Sequence, residues 1–214
     1  MPRRRKPPAA TVALLVRHGR TPTTGSVLPG RAPGLHLADV GRAQAAAVAE
    51  RLAALKTVDA VYASPLERAR ETAAPIAKRL GLKVRADKGL LECDFGEWTG
   101  AELKALRKLP EWKAVQRYPS GFRFPKGESF VEMQTRVTSA VSRLRARHPG
   151  GTLVLVSHAD PIKALVAEAA GTHLDLFQRL VISPCSVTAI AFGDAGPAVL
   201  TVNSVGDLSE LKAS

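Results

Sequence analysis

Two short stretches decide the fold of this chain: LVRHGRT at residues 15–21 and VSHAD at residues 156–160. Each places a histidine, His18 or His158, at the carboxyl end of an apolar run that is typical of a buried strand. In an open α/β sheet, ligands collect at the carboxyl ends of the strands. We therefore expect the two imidazoles to face one another across a single pocket.

The rest of the chain alternates apolar runs with helical periodicity. Strands are predicted at residues 11–16, 58–63, 82–86, 153–156, 187–192 and 198–202. Helices are predicted at residues 41–55, from Ser64 to about Leu80, from Phe130 to the stop at residues 148–151, and at 161–170. We expect Ser64 to cap one of these helices, and Asp160 either to orient His158 or, as we favour, to cap another. The order predicts a three-layer α/β/α sandwich with a mainly parallel sheet.

Length and composition are those of one compact domain. The chain has 214 residues, of which 45% are hydrophobic, and we expect a disordered basic head at residues 1–10 before a single domain at residues 11–214. Cys93 and Cys185 lack CxxC spacing, which favours a reducing, cytoplasmic location. No apolar run approaches the roughly 20 residues of a membrane span, so no membrane partner is expected.

The net charge of +12 favours anionic partners. Removing the cations of the head leaves the body still strongly basic, so the excess belongs mostly to the fold. Charge alone does not choose between phosphorylated metabolites, nucleic acid and anionic surfaces.

Further motifs follow the first histidine in a fixed order. They are residues 37–44, SPLERARETA at residues 64–73, Leu91-Glu92 ahead of FGEWTG at residues 95–100, GES at residues 127–129, and finally VSH at residues 156–158. With these motifs the chain resembles the histidine phosphatase superfamily, in its phosphoglycerate-mutase-like branch (branch 1), over nearly its whole length after the head. The resemblance implies a phosphoglycerate-mutase-like fold and an enzyme that forms a phosphohistidine without a cofactor.

The resemblance makes His18 the nucleophile. It must attack phosphorus through a neutral ring nitrogen, and the Gly19 turn is placed to hold the other ring N–H with a backbone carbonyl. Arg17 and Arg68 are expected to present planar charged donors to the phosphoryl oxygens. His158, which we expect to be protonated, would donate from the opposite side.

Glu92 matches the family's general acid, in preference to the nearby Asp94 and Glu97. This role needs a pKa of about 6 to 7, well above the usual value for a glutamate. Arg20 and Thr21 are expected to be further phosphate contacts. The remaining histidines show no metal-site spacing, and they are His36, His148 and His173. The expected enzyme is therefore metal-independent.

Three functions remain open at this point. The first is hydrolysis of a small phosphorylated metabolite, because the short separation between Glu92 and His158 resembles the compact phosphatases. The second is a mutase-type phosphotransferase. The third is a catalytically silent nucleic-acid or protein-binding module, which the positive charge suggests. The third is disfavoured because every expected catalytic and phosphate-binding residue is present, namely Arg17, His18, Arg68, Glu92 and His158. No nucleic-acid partner is therefore expected. The enzyme is expected to be a monomer or homodimer.

The segment at residues 101–126 is expected to cover the pocket as a lid. It is rich in Lys and Arg and is interleaved with aromatic residues. One interpretation is a solvated basic face whose aromatic side chains anchor the segment to the core. The other is a site for a substrate with an aromatic group or with more negative charge than one phosphate.

Overall fold

The computed structural model describes residues 10–55 and 57–206, which contain one mixed sheet of six strands with helices on both faces. The strands are β1 (Thr11–Arg17), β2 (Ala60–Ala63), β3 (Val84–Ala86), β4 (Thr152–Ser157), β5 (Val187–Gly193) and β6 (Gly196–Ser204). Their order across the sheet is β3-β2-β4-β1-β5-β6. The first four are parallel, whereas β5 and β6 are antiparallel to their neighbours.

Helices cover both faces of this sheet. They are α1 (Asp39–Ala53), α2 (Glu67–Arg79), α5 (Phe130–Arg147) and α6 (Ala159–Ala169), and two short helices, α3 (Leu103–Leu106) and α4 (Trp112–Arg117), lie in the segment between α2 and α5. Alternate side chains of β1 point to opposite faces, so that Leu14 and Val16 pack with α1 and α2 while Ala13 and Leu15 pack with α5 and α6. The predicted mainly parallel three-layer sandwich is confirmed.

The register of β1 and β4 brings the two histidines together. These adjacent parallel strands are buried on both faces, which explains their continuous apolar sequence. Arg17 lies opposite Ser157 in the register. The backbone N–H of His18 then donates to the carbonyl of Ser157 at 3.0 Å. His18 and His158 therefore leave the sheet side by side at its carboxyl edge.

Two predicted helix caps are wrong. Helix α2 has Leu66 as its N-cap rather than Ser64, and no side chain caps it. The Ser64 hydroxyl instead bonds to His158 at 2.8 Å, because β2 ends beside β4. Helix α6 has His158 as its N-cap, so Asp160 lies inside the first turn rather than at the cap.

The segment at residues 101–126, which is expected to act as a lid, contains α3 and α4 and is anchored by aromatic side chains. Phe124 is buried and packs edge to face against Trp98, with ring centroids 5.4 Å apart, and against Phe130 at 5.2 Å. Tyr118 is 59% exposed and takes no part in this cluster. Several cations of the segment are exposed as well, namely Lys104, Arg107, Lys108, Lys113 and Arg117. The anchoring role of the aromatic residues is confirmed for this part of the chain.

The predicted basic head and the end of the predicted domain extend beyond the residues that the structure describes. Residues 1–9 of the predicted head, Lys56, and residues 207–214 of the predicted domain lie outside the described residues. Within the described ranges, no helix combines the length and apolar character needed to cross a bilayer.

Candidate active site

His18 is buried and held as one neutral tautomer. Its Nδ1 lies 2.8 Å from the carbonyl of Gly19, so Nδ1 carries the ring proton and Nε2 carries the lone pair. Arg68 Nε donates to that Nε2 at 3.3 Å. Burial, with the nearby charges of Arg17 and Arg68, lowers the pKa of His18 well below its usual value. The predicted carbonyl contact is confirmed, and the ring is an unprotonated base.

Two glycines allow the loop after His18 to lie against α1. A Cβ on Gly19 would come within 2.6 Å of the carbonyl oxygen of Gly41, and a Cβ on Gly41 within 2.0 Å of that of Arg20. Both contacts are with backbone atoms, so a side chain at either position would displace the loop. The N–H of Gly19 also donates to Thr72 Oγ1 at 3.0 Å. The loop is therefore fixed by both α1 and α2.

Arg17 and Arg68 approach His18 from β1 and α2. Arg68 is fully buried, and its Nη2 donates to the carbonyl of Gly30 at 2.8 Å. Arg17 Nη1 donates to the carbonyl of Ile182 at 2.6 Å. Burial lowers the pKa of both arginines, but a guanidinium retains its charge at neutral pH. The site therefore has two fixed positive charges beside the nucleophile.

His158 stands against His18 with ring centroids 5.1 Å apart and an angle of 60° between the planes. Burial, followed by Arg68 and His18, lowers the pKa of His158 well below its usual value. This direction runs against the expectation that His158 is protonated, which neglected burial beside guanidinium groups. Ser64 Oγ lies 2.8 Å from His158 Nε2. Sequence reasoning missed Ser64 as a partner of His158, because the contact depends on β2 lying beside β4.

Glu92 is a buried carboxyl group with a strongly altered affinity for protons. Burial raises the pKa of Glu92 to about 7, and the charge of Asp160 adds to this effect. The N–H of Cys93, which donates to Glu92 Oε1 at 2.9 Å, opposes the shift together with Arg68 and Arg17. The pKa that general acid chemistry requires is thus present in the protein itself.

The two competing carboxylates are engaged elsewhere. Asp94 Oδ2 lies 3.5 Å from Arg31 Nη1, and Glu97 Oε1 lies 2.7 Å from Lys126 Nζ. Both side chains are substantially exposed to solvent. This arrangement favours Glu92 over either of them as the acid.

Arg20 and Thr21 differ from the other predicted residues. Thr21 is buried, but its backbone N–H donates to Thr24 Oγ1 at 2.8 Å and its hydroxyl lies 3.0 Å from the same oxygen. Arg20 is exposed, and within residues 10–55 and 57–206 its side chain makes no ion pair. The structure groups five predicted residues, namely Arg17, His18, Arg68, Glu92 and His158, and leaves the Arg20 side chain at the surface.

Three buried nitrogen atoms of this group lack a hydrogen-bond partner among the described residues. They are Arg17 Nε, Arg68 Nη1 and His158 Nδ1. A buried polar group without a hydrogen-bond partner costs roughly 1–3 kcal/mol of folding stability. Three such nitrogen atoms around one nucleophile are therefore typical of a site in which a bound anion supplies the missing acceptors. Guanidinium groups match the oxygens of phosphate in geometry and charge.

Comparison with known proteins identifies the family. The sequence model of the histidine phosphatase superfamily (branch 1) matches residues 13–205. The chain belongs to this superfamily and is an enzyme of that class, which confirms the resemblance seen in the motifs and the phosphoglycerate-mutase-like fold.

Individual relatives agree with this assignment. An uncharacterized protein of Mycobacterium tuberculosis (strain ATCC 25618 / H37Rv) is 41% identical over 170 residues, which cover 78% of this chain and 82% of that protein. Phosphoserine phosphatase 1 of Hydrogenobacter thermophilus is 30% identical over 92% of this chain and 94% of its own. The native structure of a mycobacterial glucosyl-3-phosphoglycerate phosphatase superimposes with a TM-score of 0.81, at 28% identity, over 91% of this chain and 99% of that one.

Proposed function

We propose that this enzyme hydrolyses phosphate monoesters of small metabolites through a phosphohistidine, without a metal ion. The observation that carries the proposal is the neutral His18 Nε2 within a group of buried donors that have no partner among the described residues. Relatives named as phosphatases support hydrolysis of a small phosphorylated substrate.

The first step transfers the phosphoryl group to the protein. The lone pair of His18 Nε2 forms a bond to phosphorus while the bond to the ester oxygen breaks. Arg17 and Arg68 neutralise the charge on the phosphoryl oxygens. His158 does not need a second proton for its part, because with Nε2 accepting from the Ser64 hydroxyl its Nδ1 carries an N–H that donates to the anion. Glu92 gives its proton to the departing alkoxide.

The second step returns the enzyme to its starting state. Glu92, now a carboxylate, takes a proton from water as the water oxygen attacks phosphorus. The bond from phosphorus to His18 Nε2 breaks, and inorganic phosphate leaves. A mutase would instead return the phosphoryl group to a second hydroxyl of the substrate, which requires water to be excluded.

A panel of phosphate esters tests the proposal directly. We expect release of inorganic phosphate with no isomerised ester, at the same rate with and without a chelator. We expect the donors named above to carry the charge of the phosphoryl group without a metal ion. Isomerised product with little free phosphate would favour the mutase, and loss of activity in chelator would contradict metal independence.

Arg68→Lys is expected to lower kcat/KM for every phosphate ester by roughly a hundredfold or more. Lysine keeps the charge but loses the planar fork that contacts His18, Gly30 and the phosphoryl group together. Steady-state phosphate release measures the effect. Arg70→Lys is the matched control, because Arg70 lies on the same helix but is exposed, and it should retain wild-type activity. Equal losses in the two variants would contradict the role of Arg68.

A further inference from the structure

Glu92 lies just after a short 3-10 helix, Lys88–Leu90, and is itself outside any helix or strand, so neighbouring side chains help to determine where its carboxyl group stands. The carbonyl oxygens of all four residues at 89–92 accept hydrogen bonds from side chains. Ser157 Oγ donates to the carbonyl of residue 90 at 2.8 Å. Arg136 donates to those of residues 89, 91 and 92, and Arg31 donates to that of residue 92 at 2.9 Å. Side-chain donors therefore fix the backbone on which Glu92 is carried.

Arg136, on α5, uses every N–H of its guanidinium group for this purpose. Nε and Nη2 donate to the two oxygens of Glu128 at 2.8 and 2.9 Å. Nη1 donates to the carbonyls of Gly89 at 3.0 Å and Leu91 at 2.9 Å. Nη2 also donates to the carbonyl of Glu92 at 3.2 Å. These five bonds match the five N–H donors of a guanidinium in its fixed planar geometry.

Glu128 connects this group to both sides of the segment. Its carboxylate accepts from the backbone N–H of Asp94 at 3.1 Å and lies 2.8 Å from Arg31 Nη2. Burial alone would raise the pKa of Glu128, but the hydrogen bond and charge of Arg136, together with the Asp94 N–H and the charge of Arg31, hold that pKa below its usual value. Glu128 therefore stays ionised and keeps the Arg136 guanidinium oriented.

We propose that Arg136 is a positioning residue that fixes the Glu92 carboxyl group at the leaving oxygen of the substrate. Arg136 touches the backbone of the acid and not the reacting atoms, and Glu128 orients Arg136 in turn. The inference rests on the proposed role of Glu92 as the general acid. A displacement of about 1 Å at a reacting group is enough to cost on the order of a hundredfold in rate.

Arg136→Lys tests the inference because lysine keeps the charge but has three donors and no fork. We expect kcat/KM for an alkyl phosphate to fall by about 10- to 100-fold, while nitrophenyl phosphate, whose leaving group needs no proton, changes little. The alkaline limb of the pH profile for the alkyl ester should move to lower pH. The sign follows from the cause: burial raises the pKa of Glu92, so a loosened segment lets that pKa fall towards its usual value.

The matched control is Arg145→Lys. Arg145 also lies on α5, but its guanidinium group lies over the ring of Phe192, 4.0 Å from the ring centroid, and it makes none of the bonds to the carbonyls of residues 89–92. It should keep the wild-type substrate ratio and pH profile. If Arg136→Lys does not fold, Glu128→Gln tests the same contacts, because Glu128 orients the Arg136 guanidinium group. We expect it to lower kcat/KM for the alkyl ester by a smaller factor.

The same assays distinguish the positioning role of Arg136 from the proposed role of Glu92 as the general acid. If Arg136→Lys and Glu128→Gln slow both esters equally and leave the alkaline limb in place, Arg136 has a purely structural role and the inference is wrong. If Glu92→Gln slows the alkyl ester much more than nitrophenyl phosphate in the same assays, the proposed function stands even though the inference about Arg136 is wrong. If Glu92→Gln also slows both esters equally, Glu92 is not the acid, and the inference and that assignment fail together.

Discussion

His18→Ala is expected to reduce phosphate release to the background rate, a loss on the order of 10⁵-fold or more. No neighbouring group can replace the nucleophile, because His158 Nε2 is bonded to Ser64 and the raised pKa of Glu92, about 7, leaves that carboxyl group only partly ionised at neutral pH. Covalent labelling should disappear as well. With a radiolabelled ester the wild-type protein should carry a label that survives alkali and is lost in acid, as a phosphorus–nitrogen bond requires, and the variant should carry none.

His36→Ala is the control for this experiment. His36 is an exposed histidine paired with Glu71 on the outside of α2. Its removal should leave turnover and labelling at wild-type levels. The melting temperature of His18→Ala should be compared with that of the wild type, because Arg68 Nε loses its acceptor in the variant. Persistent turnover or labelling in a folded His18→Ala protein would end the phosphohistidine assignment.

The central features of the fold could be predicted because they depend on short-range patterns. Two apolar runs, each followed by histidine, become adjacent strands, and the parallel register then makes the pairing of His18 with His158 unavoidable. The arginine of α2 was predictable only through the motif that contains it. Helical periodicity alone does not indicate that Arg68 is the fully buried member of that helix while Arg70 is exposed.

The errors concern properties that arise only from packing between distant segments. Ser64 has the local signature of a helix cap, but β4 lies beside it and its hydroxyl bonds to His158 instead. The proton affinity of His158 depends on burial beside Arg68, which lies far away in the sequence. The bonds from Arg136 to the segment of Glu92 likewise join residues more than forty positions apart. No local pattern predicts such contacts.

Glu92→Gln is expected to lower kcat/KM for alkyl phosphates by about 10²- to 10⁴-fold and to affect nitrophenyl phosphate far less. Glutamine preserves the shape and the acceptor for the Cys93 N–H but has no proton to give to an alkoxide. The correct parameter is kcat/KM, which reports the steps up to cleavage of the ester bond and not the later hydrolysis of the phosphohistidine. A plot of its logarithm against leaving-group pKa should be much steeper for the variant.

The pH profile gives an independent measure of the same residue. Because burial raises the pKa of Glu92 to about 7, the acid form predominates below that pH and is lost as the pH rises through it. Wild-type kcat/KM for an alkyl ester should therefore fall on the alkaline side, and this limb should vanish in Glu92→Gln. Ionisation of the substrate affects both proteins equally and cancels in their ratio. A variant that keeps the limb, or that slows nitrophenyl and alkyl esters to the same extent, would mean that another group protonates the leaving oxygen.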